Sequence, residues 1–482
     1  MLNFSSVREY HNAIKNGRIT CVEAVSFCLK KISATAQLNA WLEVFEAEAL
    51  ERAETLDKAR RDGEAIGRLH GVIVGLKDVI CFKGHKVSAS SRILEDFTSL
   101  YDATATRRLL EEGAIIIGRQ NCDEFAMGSS NENSAFGPVR NAIDEKRVPG
   151  GSSGGSAVAV QTGSCMISLG SDTGGSVRQP ADFCGIIGLK PSYGCISRYG
   201  LMAYASSFDQ IGIFGKNLED IALVLEVISG QDEYDSTASQ SPALIETNKT
   251  GEEKYRICYF KNALDHPGLD PFIASEIRKF LQTAATAGIE VEGIDFELLD
   301  YIVPAYYVLT TAEASSNLSR YDGIKYGYQN KQKNITLTDL YKLSRSEGFG
   351  PEVKRRILLG TFVLSEGYFD AYFTKAQQVR RLLVEKTKSI FQQFDAIILP
   401  TVPAPAYKIG EKKDPIEIFL ADIYTVYANL AGIPAISLPL FTNAQGLPFG
   451  LQLMTAQHNE QLLLRLSELL MKMKIAGTAP VH

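Results

Sequence analysis

Two Gly/Ser-rich turns constrain this chain more than any other feature of its sequence. PGGSSGGS occupies residues 149–156 and SDTGGSVRQP residues 171–180. Between them, Ala157–Thr162 reads as a helix and Met166–Leu169 as a strand. A helix of ~11 residues rises ~16 Å, and a strand of ~5 residues returns ~17 Å. The outward and return paths match, so the spacing predicts both turns at one edge of a sheet, with Ser152 and Ser176 near each other. Sites in open α/β sheets form outside the carboxyl ends of strands. A third residue fits that edge. Val72, Ile73, Val74 and Leu76 form a short apolar run suited to a strand buried on both faces, and Lys77 stands at its end.

Backbone N–H groups in glycine-rich turns can converge on a developing oxyanion. A serine hydroxyl needs a base to become a nucleophile. None of the six histidines adjoins either turn, so nothing favours a Ser-His-Asp arrangement, although sequence distance does not exclude one. Lysine serves as a base when desolvation lowers its pKa, and Lys77 at the end of an apolar strand is a candidate. Taken singly, a strand-end lysine is ordinarily solvated and a Gly/Ser stretch is ordinarily a flexible loop. Two such turns, each abutting an apolar helix–strand unit, fit that ordinary reading poorly. A phosphate-binding loop fits no better, because no GKS or GKT ending follows either glycine cluster.

The rest of the chain reads as alternating helices and strands. Thr20 and Glu23 form a capping box in a helical region that runs to about residue 65. Strands are expected at Ala114–Ile117, Gly185–Leu189, Ile211–Phe214, Tyr255–Tyr259, Ala396–Leu399 and Ile436–Leu438. Helices are expected at 102–112, 218–229, 271–286, 351–365, 366–391 and 458–474. The alternation predicts an α/β fold with a largely parallel sheet. The polar stretch 231–254 reads as a surface linker. A net charge of −6 with no basic stripe makes the chain by itself a poor nucleic-acid binder. Eight scattered cysteines with no CxxC pair point to a reducing compartment rather than to a disulfide framework. No signal segment or long apolar run is present, so a soluble, cytoplasmic protein is expected.

The segments GLKDV (75–79), PGGSSGGSA (149–157) and GSDTGGSVRQPADFCGIIGLKPSYG (170–194) resemble the amidase signature family. Further segments are similar to the branch of that family serving tRNA-dependent amidotransferases. They are NCDEFAMGSSNENSAFGP (121–138), SRYGLMAYASSFDQIG (197–212), AEASSNLSRYDGIKYGY (312–328), RSEGFGPEVKRRILLGTF (345–362) and NLAGIPAISLPL (429–440). The likeness is weakest over 231–310 and at the extreme C-terminus, and Cys195 and Ile213 depart from the usual arginine and proline.

The resemblance implies one amidase domain over 1–482: a helical part (1–65), a catalytic core (66–230) and a remainder (231–482) that carries substrate-specificity helices. It implies a mixed, mostly parallel sheet covered by helices on both faces. Ser176 becomes the nucleophile, Ser152 the bridging serine after a cis peptide, and Lys77 the base. Residues Thr173, Gly174, Gly175 and Ser176 become the oxyanion hole and Ser153 a supporting serine. Tyr307, Arg356 and Asp422 become contacts to a glutamine substrate, with Arg355 an equally basic neighbour of Arg356. The implied function is glutamine hydrolysis that supplies ammonia for transamidating Glu-tRNA(Gln), with Asp-tRNA(Asn) as a second candidate acceptor. Partner subunits B and C would complete a heterotrimer. The chain itself would carry no cofactor or metal, and tRNA, ATP and magnesium would be held by the partner. Two alternatives stand beside this: a free-standing amidase acting on small aliphatic or aryl amides, and a non-catalytic scaffold.

Overall fold

Apolar runs in this chain are sorted onto two faces of one sheet, and that sorting determines the architecture. The computed structural model describes residues 6–240, 242–243, 254–412, 414 and 419–477. Its strands are β1 (Trp41–Val44), β2 (Ile73–Lys77), β3 (Ile115–Gln120), β4 (Ile167–Ser171), β5 (Ile187–Lys190), β6 (Ile211–Gly215), β7 (Arg256–Phe260), β8 (Glu290–Ile294), β9 (Ala396–Pro400), β10 (Ala435–Thr442) and β11 (Pro448–Met454). They form one 11-stranded sheet in the order β1-β3-β2-β4-β6-β5-β10-β11-β9-β7-β8. Successive side chains point to opposite faces of a strand. Val74, Leu76 and Ile116 accordingly join one apolar layer with the Leu218–Ile228 helix. Ile73, Ile115 and Ile117 join a second layer with the Cys21–Ala34 and Gly154–Thr162 helices. The α/β fold with helices packed on both faces matches expectation.

The balance of strand directions does not match. The sheet is mixed, but only β2/β3, β2/β4, β7/β8 and β7/β9 pair in parallel. The other six pairings are antiparallel. The helix linking β4 to β5 does return the chain in the same direction, as the alternation predicts. However, β6 then slots between those two strands and pairs antiparallel with both. At β10/β11 the chain reverses through the short Asn443–Leu447 turn, a hairpin that can only be antiparallel.

Most of the expected elements form close to their predicted bounds. The Thr20/Glu23 capping box is present, and the helix Pro271–Thr286 begins and ends where the pattern places it. The segment 366–391 is interrupted by a π-helical turn, Asp370–Thr374. Residues 241 and 244–253 of the expected linker lie outside the described residues. All eight cysteines are buried thiols. Among the described residues no helix is long and apolar enough to cross a membrane.

Candidate active site

The end of β2 determines where the chemistry can sit. Lys77 is the last residue of that strand, and β4 runs parallel beside it, so Ser171 at the end of β4 comes alongside. Lys77 Nζ lies 2.6 Å from Ser152 Oγ and 2.8 Å from Ser171 Oγ. The lysine is wholly buried. Burial pushes its pKa down to about 8, against the pull of Cys122, Asp123, Asp172 and Asp209. Among the described residues no histidine bonds either serine.

The two Gly/Ser turns meet as the spacing requires. Ser153 N–H donates to the Ser176 carbonyl at 3.2 Å. Ser153 Oγ also donates to the Ser171 carbonyl and accepts from the Ser171 N–H, at 3.1 and 3.3 Å, so it fixes the residue beside Lys77. The Gly151–Ser152 peptide is cis. A Cβ at Gly151 would sit 2.2 Å from Asp123 Oδ2, and only glycine fits there. The Asp123 carboxylate accepts from the N–H groups of Asn131 and Asn133, and the Asp123 N–H donates to the Ser152 carbonyl. Burial raises its carboxyl to about 6.

The Ser176 turn hangs on Asp172. This carboxylate accepts from the Gly175 and Val177 N–H groups, from Asn429, and from Arg178 through two nitrogens. Burial acts against ionisation here, but the Arg178 and Lys190 charges and these hydrogen bonds outweigh it and hold the carboxyl below its ordinary range. The Gly175 N–H is therefore committed to Asp172. Among the described residues the N–H groups of Thr173, Gly174 and Ser176 have no acceptor, so three of the four expected oxyanion donors are available. Gly175 has φ +125°, and a Cβ there would meet Thr425 Oγ1 at 2.3 Å.

A second cluster, polar and aromatic, lies against the same turn. Thr425 Oγ1 donates to the Gly174 carbonyl and to that of Asp422. Asp422 accepts from Tyr307 at 2.8 Å and from Ser129 at 2.8 and 3.0 Å. Burial raises its carboxyl to about 6, while those hydrogen bonds and the Arg356 charge restrain the rise. Arg356 lies on the Pro351–Val363 helix with its guanidinium 5.4 Å from the Tyr307 ring centre and 5.8 Å from that of Phe419. Arg355 points outward, half exposed, and pairs with Glu352. The inward arginine is Arg356. On the same helix Leu358 and Phe362 are exposed.

Tyr307, Arg356 and Asp422 thus come together although 115 positions separate the first and last. Of the predicted catalytic residues, Lys77 and Ser152 are in side-chain contact, and Ser176 meets the Ser152 turn through its backbone carbonyl. Sequence reasoning missed Ser171, Ser129 and Asp172. The SDT run that opens the second turn was a visible signal for two of these, since an aspartate two residues before a glycine pair is a natural turn anchor.

Comparison with known proteins identifies the family. The Amidase family model matches residues 23–464. The chain belongs to the amidase family. Among its relatives is the glutamyl-tRNA(Gln) amidotransferase A-subunit of Koribacter versatilis, 46% identical and covering 97% of this chain and 98% of the relative. The protein of the same name from Chlorobium phaeobacteroides is 47% identical, with coverage of 97% and 99%. The crystal structure of the Thermotoga maritima glutamyl-tRNA(Gln) amidotransferase A-subunit superposes with a TM-score of 0.77 at 36% identity, covering 96% of this chain and 94% of that one. In this amidase the sheet edge, both turns and the second cluster all fall within the matched span.

Proposed function

We propose that this chain is the glutamine-hydrolysing subunit of a tRNA-dependent amidotransferase, and that Ser176, Ser152 and Lys77 carry the reaction. The observation that carries this reading is the buried Lys77 amine held 2.6 Å from Ser152 Oγ, next to the turn that presents Ser176. A neutral amine has two N–H bonds and one lone pair. Donation to Ser171 leaves the lone pair for the Ser152 proton. Lys77 takes that proton, Ser152 takes the proton of Ser176, and Ser176 Oγ attacks the carboxamide carbon of glutamine. The N–H groups of Thr173, Gly174 and Ser176 bind the oxyanion. The proton returns through Ser152 to the leaving nitrogen, ammonia departs, and water cleaves the glutamyl ester by the same relay. Arg356 holds the substrate α-carboxylate, and Asp422 and Tyr307 hold the α-ammonium.

The names of the relatives support a division of labour. Partner subunits B and C hold the misacylated Glu-tRNA(Gln), and ATP and magnesium are used there. The net charge of −6 fits a subunit that does not itself bind RNA. The test is glutamine hydrolysis by the lone chain and by the assembled complex, with hydroxylamine trapping of the acyl-enzyme. We expect low turnover alone, higher turnover with partners and charged tRNA, and trapping that disappears in Ser176→Ala. Full turnover by the lone chain on simple aliphatic amides, with glutamine no better than those amides, would overturn the reading in favour of a free-standing amidase.

A further inference from the structure

The guanidinium of Arg356 has five N–H donors, and the protein uses only part of them. Nε donates to Glu352 at 2.8 Å, and Nη1 donates to the Tyr204 hydroxyl at 2.7 Å. Among the described residues Nη2 has no acceptor. The Tyr204 hydroxyl is in a similar position. Its oxygen receives the arginine N–H, while among the described residues its own proton has no acceptor. The ring of Tyr204 is almost wholly buried, 5.6 Å from the guanidinium carbon. A buried phenol normally finds a hydrogen-bond acceptor. Here one free donor lies on the charged guanidinium and another on the phenol bonded to it, and a carboxylate with two oxygens is the complementary acceptor.

Tyr204 is also held in register with the reacting centre. Its backbone N–H donates to Asp209 Oδ2 at 2.9 Å, and the Ala205 N–H binds the same carboxylate at 3.0 and 3.1 Å. Asp209 in turn accepts from Thr173 Oγ1 at 2.7 Å. One carboxylate therefore fixes both the loop that carries Tyr204 and the turn that carries the oxyanion donors. The spacing between Tyr204 and the Thr173 turn is held by this shared anchor.

We infer that the Tyr204 hydroxyl and Arg356 Nη2 together form the carboxylate subsite, which makes Tyr204 a specificity-determining residue for amides bearing a free carboxylate. This rests on the reading of glutamine as substrate. The experiment removes the contact from each side. Wild-type full-length chain and Tyr204→Phe are assayed on L-glutamine and on 4-aminobutyramide, which is glutamine without its α-carboxylate. For Tyr204→Phe, KM for glutamine rises about five- to tenfold, kcat changes less than KM, and kcat/KM for 4-aminobutyramide changes less than twofold. Equal losses on both substrates would assign Tyr204 a purely structural role and overturn the inference, as would an unchanged KM for glutamine. A wild type that hydrolyses 4-aminobutyramide but not glutamine overturns the underlying reading and this inference with it. The substrate comparison tells the two failures apart.

Discussion

The sheet edge that holds Lys77, Ser152 and Ser176 and the cluster that holds Tyr307, Arg356 and Asp422 are built in different ways. The first comes from one contiguous stretch, about a fifth of the chain. Its residues sit at strand ends and in glycine turns, and they are locked by backbone hydrogen bonds and by the buried Asp172–Arg178 pair. The second is gathered from two helices and the 419–425 turn, which lie far apart in sequence. It is held by side-chain contacts around one aromatic ring. On the proposed reading, chemistry is thus fixed by the local backbone, and recognition by long-range packing. Substitutions in the first region should destroy turnover, whereas those in the second should change which substrate is used.

The largest effect is expected at the nucleophile. Ser176→Ala should lower kcat by ~10⁴-fold or more while leaving glutamine binding measurable by calorimetry. A variant that binds glutamine no better than an unrelated amide would break the separation between the two regions. Lys77→Arg comes next, with a loss on the order of 10³-fold, because arginine cannot serve as a neutral base. The wild type should show the matching pH profile. Burial lowers the Lys77 pKa, so the active neutral form grows as pH rises, and kcat/KM should climb through about pH 8 and fall on the acid side. A profile flat from pH 6 to 9 would remove Lys77 from the role of base.

Recognition substitutions should act more gently and on KM. Asp422→Asn should raise KM for glutamine by ~10- to 100-fold, the cost of losing a charged hydrogen bond. It should also abolish any acid limb near pH 6, where the raised carboxyl of Asp422 loses its charge. Steady-state kinetics from pH 5 to 9 would sharpen the comparison. The smallest effect belongs to Arg355→Ala. Its side chain is half exposed and among the described residues pairs only with Glu352, so KM should change less than twofold. A large effect there would mean that the outward arginine, not Arg356, meets the substrate.

The two regions were not equally legible in the sequence. Element lengths suggested that the two turns share one edge, since a short helix and a five-residue strand return the chain towards where it left, while the roles of Lys77, Ser152 and Ser176 came with the family resemblance. The recognition cluster came only from family resemblance. The Leu299–Asn317 helix that carries Tyr307 is apolar on several faces and contains Pro304, so it shows no clear period. The strands missed by periodicity have similar causes. Trp41–Val44 is a short, half-buried edge strand, and Glu290–Ile294 is an exposed edge strand with polar residues. Pro448–Met454 opens with a proline and contains a glycine and Gln452, residues that ordinarily argue against a central strand. The excess of antiparallel pairs was hidden for another reason. Nothing in β6 itself announces that it will insert between its predecessors.

The burial of every cysteine has a practical consequence. Thiol labels react through the exposed thiolate, and this chain offers none, with Cys28 and Cys122 pushed to about 12 in the interior. The native protein is a silent background for maleimide chemistry. A single cysteine placed at Leu358, exposed on the helix whose inner face carries Arg356, would be the one reactive handle on the surface. On the proposed reading, a fluorophore there would report glutamine capture at Arg356, without cysteine-free engineering of the interior.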